Sequence, residues 1–463
     1  MASRNGSRRT QTEGNGSVPA APSANAAQAR GGGASVATAL GPAPSVAERV
    51  EPLLEQLFDG GPPVRFAFWD GSTTGPPGTA ECIVVHSVNA LTRMLWSPNE
   101  LGMARAFVVG EIDIAGDLYL VLEALRSRST VTTRPNPRAL ASAFNAAVQL
   151  GAVRLPPRPP GEEVHLSGWR HSKQRDSAAI RHHYDVGDEF YRLVLGPAMT
   201  YSCARFETGD ASLEMAQRSK HDLTCRKLGL ADRTGLRLLD VGCGWGSMAV
   251  HAAREYGAKA VAITLSPSQS RSARRFAQDA GLGQEVEVRL QDYRDLRGEK
   301  NHAISSIGMF EHVGRAHMDE YFNKLFALLA PGGRMLNHAI SKPGGKRMKG
   351  ATFINRYVFP DGELIDVADV VRAMEHAGFE VRDVESLREH YTRTLRAWVS
   401  NLEGSWDSAV KLVGEARARV WRLYMTASAN AFQHGAIAVH QVLGVRPTAD
   451  GASLMPPTRV GWG

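Results

Sequence analysis

The 463-residue chain has only four cysteines, Cys82, Cys203, Cys225 and Cys243. None is spaced as a CxxC pair or as a metal-ligand set. That argues against a zinc module and for free thiols in a reducing cytoplasm. No apolar run approaches the roughly 20 residues of a membrane-spanning helix, so any membrane contact is expected to be peripheral. The N-terminus carries Arg4, Arg8 and Arg9 without an apolar h-region, so a secretory leader is not expected. Also missing are an Asn-Pro-Pro-Tyr run and a basic stripe interleaved with aromatics, features that would point to nucleic acid. The charge that is present is biased: a net +7 suits an anionic membrane surface, nucleic acid, or merely a solvated basic exterior.

What remains divides by composition. Residues 1–44 are rich in Ala, Gly, Ser and Asn and cannot bury enough apolar surface to offset ordering entropy, which predicts a disordered tail. Residues 45–126 read as a small α+β domain. A helix is expected over Val46–Phe58, with Val50, Leu53, Leu54, Leu57 and Phe58 at helical spacing. Strands follow at Val64–Trp69 and Glu81–His86, then helices at Val88–Leu95 and Leu101–Val109. Gly110–Leu118 reads as a turn into a helix ending near Arg126. Residues 127–178 read as a linker, with breakers at Arg134-Pro135-Asn136-Pro137, a short helix at Leu140–Gln149 and an extended spacer at Pro156–Pro160.

Residues 179–443 form the larger domain, followed by a C-terminal tail at 444–463. The domain's centre is Leu238-Leu239-Asp240-Val241-Gly242-Cys243-Gly244-Trp245-Gly246, a buried strand running into a glycine turn. A helix over Ser247–Tyr256 and a second strand at Ala260–Leu265 complete a βαβ unit, with the first free N–H groups of the helix aimed at the turn. A helix at Ser268–Ala280, strands at Val286–Leu290 and Ala303–Ile307, a helix at Met318–Leu329 and a strand at Arg334–Ile340 continue the alternation. The pattern predicts an α/β, Rossmann-like fold with a mostly parallel sheet, its ligands beyond the carboxyl ends of the strands.

The compact Gly-Cys-Gly-Trp-Gly turn is not the dinucleotide fingerprint. It resembles the cofactor loop of S-adenosylmethionine (SAM) methyltransferases, and Trp245 with Thr264-Leu265-Ser266 and Gln269 resembles the cyclopropane-fatty-acid synthase branch. His183–Tyr191, Met199–Phe206, Ile307–Gly314 and Phe353–Gly362 are similar to stretches of the cyclopropane-fatty-acyl-phospholipid and mycolic acid cyclopropane synthases, and Glu389–Trp398 is a weaker match. The small N-terminal domain looks like that of the bacterial fatty-acid enzymes.

The resemblance implies methyl transfer from SAM to the cis double bond of an unsaturated phospholipid acyl chain, through a carbocation, giving a cyclopropane. A hydride shift before proton loss would give a methylene branch instead, the precursor of a 10-methyl chain, and motifs do not separate the two. Such a site must exclude water and hold one weak base. In the family that base resembles a bound bicarbonate, and its ligands fall on Cys203, Glu311, His338, Ile340 and Tyr391. Taken singly, Cys203 reads as a small buried hydrophobe, Glu311 as a cap, His338 as a core histidine and Tyr391 as packing. Cys203 has no adjacent base to make it a nucleophile. Their joint place at strand ends favours function.

The same carry-over gives the cofactor residues: Asp240, Gly242, Gly244, Trp245 and Gly246 at the loop, Tyr201 and Ser202 over the methionine end, Thr264, Leu265 and Gln269 at ribose and adenine, and Asp292 and Tyr293 beside adenine. Arg294 is left out, since some mycolic acid enzymes carry an acid there. The basic segment with Lys342, Lys346, Arg347 and Lys349 is a candidate contact with anionic headgroups or a solvated turn. The N-terminal domain is expected to present phospholipid or support a homodimer. A cytoplasmic protein docking peripherally on the inner membrane face follows; a nucleic-acid methyltransferase and a catalytically dead lipid binder are the competing readings.

Overall fold

The computed structural model describes residues 43–58, 60–128, 137–164, 175, 186–298, 300–345, 352–360 and 362–461. Nearly all of the expected disordered tail, His183–Asp185 and Asp361 of the two motifs, and Lys346, Arg347 and Lys349 of the basic segment lie outside these residues.

The chain begins with α1 (Val46–Leu57), whose Ser45 and Glu48 form a reciprocal capping box that satisfies two free N–H groups. A four-stranded sheet follows, in the order β2 (Thr73–Thr74), β1 (Arg65–Phe68), β3 (Cys82–Val85), β4 (Ile112–Ala115). Strand β4 corrects the expected turn at 110–118: Ile112 is buried against the α1 core, and the strand pairs antiparallel with β3. Helices α2 (Val88–Trp96), α3 (Glu100–Val108) and α4 (Leu118–Arg128) complete this part. Helix α5 (Pro137–Gln149) packs on α1, with Gln56 Nε2 donating to Ser142 Oγ at 3.2 Å.

The larger part opens with α6 (Asp188–Leu195) and α7 (Leu213–Lys227). Its seven strands are β5 (Arg237–Val241), β6 (Lys259–Thr264), β7 (Val286–Leu290), β8 (Asn301–Ile307), β9 (Leu329–Ser341), β10 (Glu380–Ser386) and β11 (Ala438–Val445), ordered β10-β11-β9-β8-β5-β6-β7. Strands β5 to β9 pair in parallel; β11 is antiparallel to both β9 and β10. The α/β, mostly parallel sheet expected from the sequence is therefore present. Strand order reverses at β5, so the crevice forms at its carboxyl end. Two details differ from expectation. Strand β9 starts at Leu329, so Pro331-Gly332-Gly333 lies within it, where Gly332 N donates to Arg446 O at 2.7 Å. The antiparallel pair β10 and β11 was not anticipated.

Helices α8 (Ser247–Tyr256), α9 (Pro267–Asp279), α10 (Met318–Leu328), α11 (Phe353–Tyr357), α12 (Val367–His376), α13 (Arg388–Gly404), α14 (Trp406–Val413) and α15 (Glu415–Gln433) fill the remaining connections. Leu101, Ala104 and Val108 of α3 share one core with Tyr191, Trp398 and Trp421. Arg419 of α15 donates to both carboxylate oxygens of Asp113 on β4, at 3.3 and 2.9 Å. Among the described residues no helix is long and apolar enough to cross a membrane.

Candidate active site

Strand β5 is buried along Leu238–Val241 because helices cover both faces of the sheet. At its end Gly242 N and Cys243 N both donate to Ile263 O, at 3.0 and 2.9 Å, which ties the glycine loop to β6. Gly242 and Gly244 have φ of +80° and +55°. A Cβ on Gly242 would meet the Met309 side chain at 2.8 Å, whereas one on Gly244 would stand in open space. Trp245, 3% exposed, tilts against Tyr191 at 4.6 Å, and its Nε1 donates to Asp188 Oδ1 at 2.8 Å. The motif of α6 thus braces the loop.

The loop forms one wall of a cavity. Thr264, Leu265 and Gln269 form the next wall, with Thr264 Oγ1 donating to Gln269 Oε1 at 2.9 Å. Tyr293 and Arg294 continue it at the end of β7. Tyr201, Ser202 and, from α7, Lys220 and His221 close the opposite side. Asp240 also lines it; Ser305 Oγ donates to its Oδ1 at 2.7 Å, while Oδ2 has no hydrogen-bond partner. Burial raises the Asp240 carboxyl from 3.8 to about 6.

Of the expected cofactor residues, ten line this cavity. Gly246 and Asp292 do not. Gly246 starts α8 with a left-handed φ of +87° and packs against Ala273, where an added Cβ would come within 3.1 Å. Asp292 stands behind Arg294 and holds its guanidinium at 2.9 and 2.6 Å. Arg294, omitted from the sequence reading, is the wall residue.

A second cavity, of about 380 Å³, shares Tyr201, Ser202, Gly308 and His312 with the first. Its lining is largely apolar and aromatic, including Phe359, Leu395, Tyr424, Phe432 and Val439. The five residues expected to hold the base, Cys203, Glu311, His338, Ile340 and Tyr391, all line it. Glu311 sits in the turn after β8. The Ile340 amide donates to its Oε1 at 2.7 Å, and Oε2 is buried without a partner. Burial raises this carboxyl from 4.5 to about 7. The Ile340 amide therefore serves Glu311.

His338, on β9, lies opposite Gln441 of β11. Its Nε2 is likewise buried and unpartnered, and burial lowers its pKa to about 3, so the ring is neutral. Burial raises the Cys203 thiol far above its ordinary range, and the thiol donates to Ala204 O at 3.2 Å. It is no nucleophile. Tyr391 tilts against Phe432 at 4.6 Å.

The residues fit the groups that the sequence reading implies. One acceptor and one ring nitrogen, both buried without partners on residues lining an apolar chamber, suit a small oxyanion carrying an O–H. The glycine wall, with free space beside Gly244 and an unsatisfied carboxylate at Asp240, suits an amino-acid nucleoside. Lys220, His221 and Gln441 were missed. The signal for the first two was a polar face at helical spacing on α7, Gln217, Lys220, His221 and Thr224, all buried.

Comparison with known proteins agrees with this geometry. The profile of the mycolic acid cyclopropane synthetase family matches residues 171–442. A probable fatty acid methyltransferase of Mycobacterium tuberculosis is 40% identical over 406 residues, 85% of this chain and 93% of that one. The cyclopropane-fatty-acyl-phospholipid synthase of Escherichia coli is 33% identical over 314 residues, 66% of this chain and 79% of that one. Among solved structures, mycolic acid cyclopropane synthase CmaA1 complexed with SAH and CTAB superposes with a TM-score of 0.54 at 33% identity, over 58% of this chain and 97% of that one.

Proposed function

Since the chain belongs to the cyclopropane synthase family of SAM-dependent methyltransferases, we propose that it transfers a methyl carbon from SAM to the cis double bond of an unsaturated acyl chain carried by a membrane phospholipid. The observation that carries this is the pair of cavities with a common wall. One, of mixed polar and apolar lining, lies at the glycine loop, and a strongly apolar one is lined by Glu311 and His338, whose Oε2 and Nε2 are buried without partners.

In this reading the acyl chain would lie in the apolar cavity with its double bond near Tyr201 and Gly308, and SAM held at the glycine loop would supply the methyl carbon across the shared wall, the C–S bonding pair leaving with sulfur as S-adenosylhomocysteine. Positive charge then develops on the chain. The faces of Tyr201, Tyr424 and Phe432 stabilise it without offering a nucleophile, and exclusion of water prevents its capture. A bicarbonate held by Glu311, His338, Tyr391 and the Cys203 backbone would supply a weak base for the departing proton. Glu311 is fixed by the Ile340 amide and presents its other oxygen to the chamber; neutral His338 presents one ring nitrogen. Loss of the proton from the new methyl closes a cyclopropane. A hydride shift before proton loss leaves a methylene branch instead, and both products use the same residues.

The phospholipid is drawn from a membrane surface on which the protein docks peripherally. Exposed Trp96 and Met103 flank Glu100, which lines the acyl cavity, and support an entrance on that side. Mass spectrometry of lipids from cells expressing the chain tests the proposal: unsaturated acyl chains should each gain one CH2 unit. An unchanged acyl profile together with methylated headgroups would overturn it.

A further inference from the structure

Helix α7 carries two buried lysines, and their surroundings differ. Lys227 is 2% exposed and pairs with two carboxylates: Asp383 at 2.9 Å, and Glu385. That is how a buried ammonium is normally satisfied. Lys220 is 1% exposed, yet among the described residues it has no ion pair. Its Nζ donates to one neutral oxygen, Ser202 Oγ, at 2.9 Å. It faces the cavity beside the glycine loop, together with Ser202 and Asp240. A packing role does not account for an ammonium in that place, because an apolar residue would fill the helix face without the desolvation cost.

We propose that Lys220 is the cation that receives the carboxylate of the methionine moiety of SAM, with Ser202 holding its ammonium in position. This rests on the reading that the cavity takes SAM. The charge pattern fits an α-amino acid. Asp240, its Oδ2 unpartnered on the same cavity wall, faces the amino end. Lys220 faces the carboxylate end, so a zwitterion meets opposite charges at its two ends. Burial of Lys220 lowers its pKa to about 7, and an incoming carboxylate favours the charged form.

The test is calorimetric titration of wild-type protein and Lys220→Met with SAM and with decarboxylated SAM, which keeps the amine and lacks the carboxylate. Wild-type protein should bind SAM more tightly than the decarboxylated compound. In Lys220→Met, SAM affinity should fall roughly thirtyfold, while affinity for the decarboxylated compound stays unchanged and reports an intact fold. Lys220→Gln, titrated in parallel, should behave alike. Equal loss for both ligands, or no loss for either, overturns the assignment. Equal wild-type affinity for the two ligands overturns it without any variant. Wild-type protein that binds neither refutes the cofactor reading itself.

Discussion

Gln441 Nε2 lies 3.3 Å from His338 Nδ1, across the β9–β11 pair and fully buried. An amide nitrogen only donates, so in the assigned orientation Nδ1 accepts and Nε2 carries the ring proton. That N–H is buried without an acceptor on a residue that lines the acyl chamber, a donor available to an anion there. Gln441→Leu keeps the bulk and removes the tether. Turnover should fall at least about tenfold, with SAM affinity unchanged. Steady-state kinetics beside calorimetry separates the two, and full activity in this variant would show that His338 is oriented by other contacts.

Glu311 gives a coupled prediction on stability. Its carboxyl titrates near 7 in the folded protein and near 4.5 when unfolded. The folded state therefore binds the extra proton between those values, and stability declines as pH rises through that window. The full difference corresponds to about 3 kcal/mol. Glu311→Gln escapes this cost. Its melting temperature should match wild type near the acid end of the window and exceed it above neutrality, while turnover drops by orders of magnitude. A variant that is less stable than wild type at alkaline pH would refute the strain assigned to this carboxylate.

Much of this was legible in the sequence. The run from Leu238 to Gly246 reports strand, turn and helix by itself, because burial on both faces and positive φ leave few residue choices. The five chamber residues were readable only by resemblance: His338 on a strand carries no sign of facing a cavity. Strand β10 was missed because Glu380–Ser386 is rich in charge and forms the sheet edge, where half-buried positions break the apolar pattern; β11, Ala438–Val445, is nearly all buried, a short apolar run that periodicity does not separate from helix. Lys220 and Gln441 were missed for another reason. Their roles depend on neighbours 18 and 103 residues away. Nor does the sequence disclose that Asp292 serves Arg294.

Gly244 offers a test of the loop. An added methyl at this position meets nothing within 4 Å and stands at the cavity wall. Gly244→Ala should lose about 1–2 kcal/mol of stability from its left-handed backbone and still fold. SAM affinity should fall measurably at a temperature where the variant is fully folded. Undiminished affinity would mean that the cofactor does not approach the backbone here.

The contact between Arg419 and Asp113 should hold the first sheet against α15. Asp113 keeps about a third of its side-chain exposure, 36%, so the pair is partly screened. Arg419→Ala should reduce stability by about 1–2 kcal/mol, since the guanidinium also covers Phe107. Denaturant unfolding measures it. A neutral result would show that the apolar contacts of α3 carry this junction alone.

The proposed reaction places the transferred carbon on the acyl chain, under control of the chamber that Glu311 lines. The most direct measurement incubates purified protein with methyl-deuterated SAM and vesicles of a phospholipid bearing one cis-monounsaturated chain, then fragments the product in a mass spectrometer. Wild-type product should carry deuterium within the acyl chain at the former double bond, and Glu311→Gln should give none despite normal SAM binding. Label in the headgroup, or equal labelling by both proteins, would contradict it.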